Sequence, residues 1–175
     1  TRISLKVGVT GLLGGCAISA LILAYASTAK SPLIQAVTLL VSMGLLFYSS
    51  HPLGHYLVAR ILGVGVDYFF LGSSDFKKLE MEPLRTIGKM IPTIGTKLNR
   101  SRLGSLAPRW RRFVFGAGVI FSNFLIGVQS AYALVAGFSS PAVLLSAAFV
   151  VGTLASEVVL STKVGDISKM RRQVP

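Results

Sequence analysis

His51-Pro52-Leu53-Gly54-His55 closes an apolar stretch that begins at Pro32, and the chain continues as Tyr56-Leu57-Val58-Ala59-Arg60 towards Gly63. Two histidines therefore stand one helical turn apart at the rim of a segment long enough to cross a bilayer. Imidazoles are costly in lipid, so an ionisable pair at that depth points first to a functional site. The i, i+4 spacing lets both rings reach one metal ion from a single helix face. Pro52 falls between them. It lacks a backbone donor and disfavours helical geometry at His51. The expectation is a kink there, or a helix that restarts with Ser50 or His51 as its cap. Protein or water must satisfy the backbone groups that such a break frees inside a membrane.

The rest of the chain supplies a membrane setting for this stretch. Hydrophobic residues make up 52% of the 175 positions, too high a share for an ordinary soluble domain. Four apolar segments, at 5–29, 32–58, 113–137 and 141–162, are each long enough to span. The fold class expected is an all-α polytopic membrane protein with a single domain over 1–175. The first segment follows Arg2 and Lys6 and carries Ala24-Tyr25-Ala26 near its end, as a leader peptide does, but is taken as a membrane anchor. Its many small residues, Gly8, Gly11, Gly14 and Gly15 among them, suit close helix packing.

Charge predicts the orientation. Four spans place the N-terminus, the connection 63–112 and the basic tail 163–175 on one side. Of the 18 Lys and Arg residues, 17 lie on that side or at its edge and only Lys30 lies opposite. The positive-inside rule then assigns both termini to the cytoplasm. The net charge of +12 also attracts anionic lipid head groups. These basic residues flank spans and do not form an aromatic-laced reader, which argues against a nucleic-acid partner. Cys16 is the only cysteine, so a disulfide framework and a thiolate metal cluster are both excluded.

After the second segment, the β-branched and aromatic run Val64 to Gly72 predicts a short interfacial strand, either a hairpin arm or an edge strand. From Ser73 to Arg112 basic residues alternate with scattered apolar ones, consistent with an amphipathic surface segment or a loop. Trp110 with Arg109, Arg111 and Arg112 suits a head-group anchor ahead of the third span. That span carries Gly116-Ala117-Gly118 and Ser122-Asn123, and the Asn123 amide must face the bundle to find a partner. Glu157 and Asp166 are the carboxylates within or bordering the last two spans. Asp166 lies at the depth and side of the histidine pair. Nine residues separate it from Glu157, roughly 13 Å of helix, so both do not serve one ion. Glu157 is expected to be a buried polar contact or a partner for another subunit.

Together these features resemble the site-2 protease family of intramembrane zinc metalloproteases. The run from His51 to Gly72 is similar to that family's zinc helix, where His-Glu-x-Gly-His leads through Ala-Arg-x-x-Gly into a strand ending at glycine. Phe115-Gly-Ala-Gly-Val-Ile-Phe-Ser-Asn is similar to its Gly-x-x-x-Asn helix. The resemblance implies zinc held by His51, His55 and Asp166, with Gly118, Asn123 and Gly72 along a groove for a substrate or partner. Asp166 follows Gly165, whereas the family's ligand precedes a glycine, and the usual upstream Asn and Pro are absent.

The departure that matters is Pro52. It occupies the place of the glutamate that acts as general base, a group commonly worth about 10²–10⁴-fold in rate. The resemblance therefore implies a pseudoprotease: a binding or structural subunit of a membrane complex, with other transmembrane proteins as partners and zinc a possible cofactor. The alternative is an active intramembrane metalloprotease with a displaced base, for which Asp67 is a candidate. Haem ligation is disfavoured, because its histidines ordinarily face each other across helices.

Overall fold

The computed structural model describes residues 1–73, 92–159 and 166–171, together with positions 82, 86 and 90. Four helices are long and apolar enough to cross a membrane: α1 (Leu5–Thr28), α2 (Pro32–Ile61), α4 (Pro108–Val135) and α5 (Ser140–Val159). The short helices α3 (Arg100–Ser105) and α6 (Asp166–Arg171) lie outside these spans. The helical fold matches expectation; the second long helix runs on to Ile61, and residues 160–162 of the expected fourth span lie outside the described residues. The third long helix starts five residues ahead of the expected 113, because Pro108 sits in its first turn and draws Trp110 and the arginines into the helix.

Local sequence accounts for the ends. The Ser4 hydroxyl accepts the Val7 N–H at the start of α1. Gly63 and Gly137 have φ of 71° and 73°, the left-handed conformation that closes a helix cheaply only at glycine. Around them Val64 N–H bonds the Ala59 carbonyl at 2.8 Å and Phe138 N–H bonds the Ala133 carbonyl at 3.0 Å, so α2 and α4 end in the same way.

Pro52 does not restart the helix. α2 runs unbroken from Pro32 to Ile61, and the cap expected at Ser50 or His51 is not formed. The missing donor removes one backbone bond, and the helix continues through it. Burial of Ser49, Ser50, Pro52, Leu53 and Gly54 shows the neighbouring elements holding this turn in place.

The expected strand is present as β2 (Val66–Ser73), but it is not an edge. It is the centre of a three-stranded antiparallel sheet, between β1 (Arg2–Ile3) and β3 (Pro92–Leu98). No sequence pattern announces either flanking strand. Of the expected amphipathic segment, most of 74–91 lies outside the described residues, and the chain from Pro92 to Ser105 forms β3 and α3. Phe69 is fully buried, packed with Leu12 and Leu53. Its ring fills the space over Gly8, where a side chain would collide with it. β3 is tied to α2 by Tyr48 Oη donating to the Pro92 carbonyl at 3.1 Å and Thr96 Oγ1 donating to the Pro52 carbonyl at 3.4 Å.

The main core lies among α1, α2, α4 and α5, where Leu39, Met43, Ile126 and Ala133 are inaccessible. Leu21, Leu33, Leu144 and Val135 instead point outward, with exposures between 70% and 87%. Apolar outward faces on long helices fit lipid, not water, as their surroundings. Polar clasps join the helices inside: Ser19 with Ser42 and Gln129, and Ser130 with Ser146. In hydrocarbon such hydrogen bonds have no competing water.

α2 and α4 approach each other closely at Gly54. A Cβ there would lie 2.7 Å from the Ala117 carbonyl oxygen and 2.8 Å from Phe121 Cβ. Gly54→Ala is expected to destabilise the bundle by about 1–3 kcal/mol. Gly127→Ala, where nothing lies within 4 Å, should leave stability unchanged or raised. Unfolding of both variants in detergent micelles checks this; equal midpoints would contradict it.

Candidate metal centre

His51 and His55 project from one face of α2, ring centroids 5.1 Å apart and planes inclined by 74°. Asp166, the first residue of α6, meets them from across the bundle. Its Oδ2 lies 3.0 Å from His51 Nε2 and 2.9 Å from His55 Nε2. The candidate ligand atoms are all within 4.8 Å of one another. In a tetrahedral zinc site with bonds of about 2.0–2.1 Å, neighbouring ligand atoms stand about 3.3 Å apart. The two nitrogen–oxygen distances need lengthen by only a few tenths of an ångström, and the donors match such an ion in number and kind. All three residues expected as ligands come together.

The hydrogen bonds behind the rings set their tautomers. His55 Nδ1 donates to the Val114 carbonyl at 2.8 Å. Ser122 gives its hydroxyl hydrogen to the Gly118 carbonyl at 2.8 Å and can accept only through a lone pair from His51 Nδ1, at 3.4 Å. With Nδ1 carrying the hydrogen, each neutral ring turns its Nε2 lone pair towards the same carboxylate oxygen. Lone pairs facing at about 3 Å repel unless a cation stands between them, either a proton or a metal ion. Backbone and hydroxyl partners behind ligating imidazoles are the usual support of a metal site.

Glycine makes room for this arrangement. A Cβ at Gly118 would fall 2.4 Å from His55 Nε2 and 2.8 Å from His51 Nε2. Gly118 thus abuts the two ring nitrogens that would hold an ion. Gly116 plays a parallel part for the third ligand, because Met170 of α6 occupies the space its side chain would take. That contact seats α6 on α4 and so delivers Asp166.

The far side of Asp166 is engaged too: Oδ1 accepts from Lys169 Nζ at 3.0 Å. Burial alone pushes the Asp166 carboxyl up. With protons on the ring Nε2 atoms, attraction to His55, hydrogen bonds from His51 and His55, and the Lys169 ammonium outweigh it and hold the group well below the usual carboxylate range. A depressed carboxylate adds stability in full above its unfolded value of about 3.9 and loses it only as pH falls towards the folded value.

Of the other residues expected at a groove, Asn123 faces inward and ties α4 to α5. Its Nδ2 donates to the Val119 carbonyl at 2.9 Å and its Oδ1 accepts from Thr153 Oγ1 at 3.0 Å. Gly72 pairs with Thr93 in the sheet. Pro52 is buried on α2 between the two histidines. Asp67 accepts from Asn99 Nδ2 at 3.4 Å and does not join the histidine cluster. Among the described residues Asp166 is the sole carboxylate of that cluster. Sequence reasoning missed Val114, Ser122, Gly116, Lys169 and Met170. Lys169 carried a signal, standing three residues after Asp166 on a short helix. A backbone carbonyl such as that of Val114 carries none.

Comparison with family models, curated proteins and solved structures finds no match to this chain. The centre therefore stands on its geometry. Two imidazoles and one carboxylate can hold a divalent ion and leave a fourth position open.

Gly118→Ala is expected to abolish metal retention while helix content is kept, since both rings must turn away from a fixed Cβ. Gly116→Ala meets only the flexible end of Met170 and should weaken retention less. Metal stoichiometry after loading and desalting, with circular dichroism as control, checks the order. Acidification gives a second test. Protons compete for the imidazoles, so metal should be lost on lowering the pH, whereas the Asp166 contribution to stability should persist down to about pH 4. Metal loss and unfolding at the same pH would contradict this.

Proposed function

We propose that this chain is a site-2-protease-like membrane protein that holds a metal ion and has lost peptide hydrolysis. One observation carries the reading: a His-His-Asp cluster whose ligand atoms lie within 4.8 Å of one another, beside a helix position that bears proline. The resemblance around His51–Gly72 supports it, as does the seating of the glycine-rich α4 against the two rings. Zinc suits two imidazole nitrogens and a carboxylate better than calcium or magnesium, which prefer oxygen-only shells.

When bound, zinc supplies a Lewis acid that lowers the pKa of a coordinated water towards about 7. The chain's own residues do the remainder. His51 and His55, oriented by Ser122 and Val114, would hold the ion together with Asp166, and Gly118 keeps the space before the rings clear. No side chain at position 52 can accept a proton from an attacking water and return it to a leaving amine. The ordinary cost of losing such a group is about 10²–10⁴-fold.

The molecule then acts by binding. Its partners are membrane lipid and other transmembrane proteins, as a binding or structural subunit of a membrane complex, and not nucleic acid. Both termini are placed in the cytoplasm by the distribution of Lys and Arg. Docking of a partner helix uses the surface by which a working relative admits substrate.

The expected results are about one zinc per chain, loss of that zinc in His55→Ala, and no cleavage of a transmembrane peptide by the unaltered protein. Pro52→Glu restores the base and should give cleavage, abolished again by His55→Ala. Zinc-dependent cleavage by the unaltered chain would overturn the pseudoprotease reading in favour of a displaced base. Absence of zinc under all loading conditions would overturn the metal reading.

A further inference from the structure

We infer that Lys169 is a positioning residue that keeps Asp166 a one-oxygen ligand, so that the fourth position on the metal stays open. The inference rests on the metal reading above and concerns a residue to which that reading gives no role.

The two oxygens of Asp166 face different partners. Oδ2 points at both imidazoles, at 3.0 and 2.9 Å. Oδ1 is bonded to Lys169 Nζ at 3.0 Å, within one turn of α6. A carboxylate beside a divalent ion can bind through one oxygen or both, and the second mode fills a coordination position. Here the second oxygen is held by an ammonium, a charge-assisted contact of ordinary length.

Two features argue against a purely structural pair. Lys169 is 47% exposed on its side chain, and ion pairs so exposed add little to stability. An ammonium next to a dication also repels it, which works against metal affinity. The seating of α6 has its own device in Met170 over Gly116. What Lys169 contributes is the direction of Oδ1. Because it sits three residues along the same helix, it moves with Asp166 and keeps this orientation wherever α6 goes. Groups that orient a metal's ligand are as much part of the site as the ligand itself.

The test uses the full-length chain in detergent, loaded with cobalt(II), whose visible d–d absorption is strong in four-coordinate sites and weaker in five-coordinate ones. The unaltered protein should show the strong spectrum, and added thiocyanate should perturb it by taking the open position. In Lys169→Met, Oδ1 is released to take the fourth position, and the thiocyanate response should be lost. Lys169→Arg keeps a cationic donor and should restore it. A thiocyanate response unchanged in Lys169→Met, or loss of cobalt from that variant, would overturn the role given to Lys169 while leaving the metal centre intact. Failure of the unaltered chain to take up cobalt would instead remove the metal reading, and this inference with it.

Discussion

One carboxylate oxygen shared between two imidazole nitrogens organises the functional end of this molecule. Asp166 Oδ2 sits about 3 Å from Nε2 of both His51 and His55, and each ring's other nitrogen is already committed to Ser122 or Val114. Two lone pairs and an anionic oxygen at such distances call for a cation. Much else in this region serves the convergence. Gly118 lets the rings approach α4, and Gly116 lets Met170 bring α6 in. The close α2–α4 contact at Gly54 fixes the distance between the two walls.

Pro52 separates geometry from chemistry. In an isolated helix it costs a hydrogen bond and bends the axis, which would spoil the angle between histidines one turn apart. Here the turn is buried, with β3 bonded to the Pro52 carbonyl and to Tyr48, and α2 remains continuous. A proline at this position offers no proton acceptor, yet the three donors stay together. An ion held only by the folded state would add its binding energy to that state.

The range of the forces concerned decides how much of this is legible in the sequence. Helices α1, α2, α4 and α5 are written in runs of apolar residues, and bilayer thickness turns run length directly into span. The i, i+4 histidines need only helical periodicity. Asp166 is reachable by counting spans and depth, since a long-range contact in a membrane is constrained to one layer. β1 and β3 are not legible: Arg2–Ile3 is two residues, and Pro92–Leu98 contains proline, glycine and lysine, so neither shows the alternation of a strand. They exist because β2 offers both edges and because Phe70 covers Gly95. Whether Pro52 sits within a continuing helix or restarts it is likewise open in the sequence, and tertiary packing decides for the continuing helix.

X-ray absorption at the zinc edge, on protein purified with zinc present and then desalted, tests the central claim most directly. Two imidazole nitrogens and oxygen at about 2.0–2.1 Å, with no sulfur, is the predicted shell. A shell containing sulfur, an oxygen-only shell, or one that persists unaltered when both His51 and His55 are replaced by alanine would contradict the account.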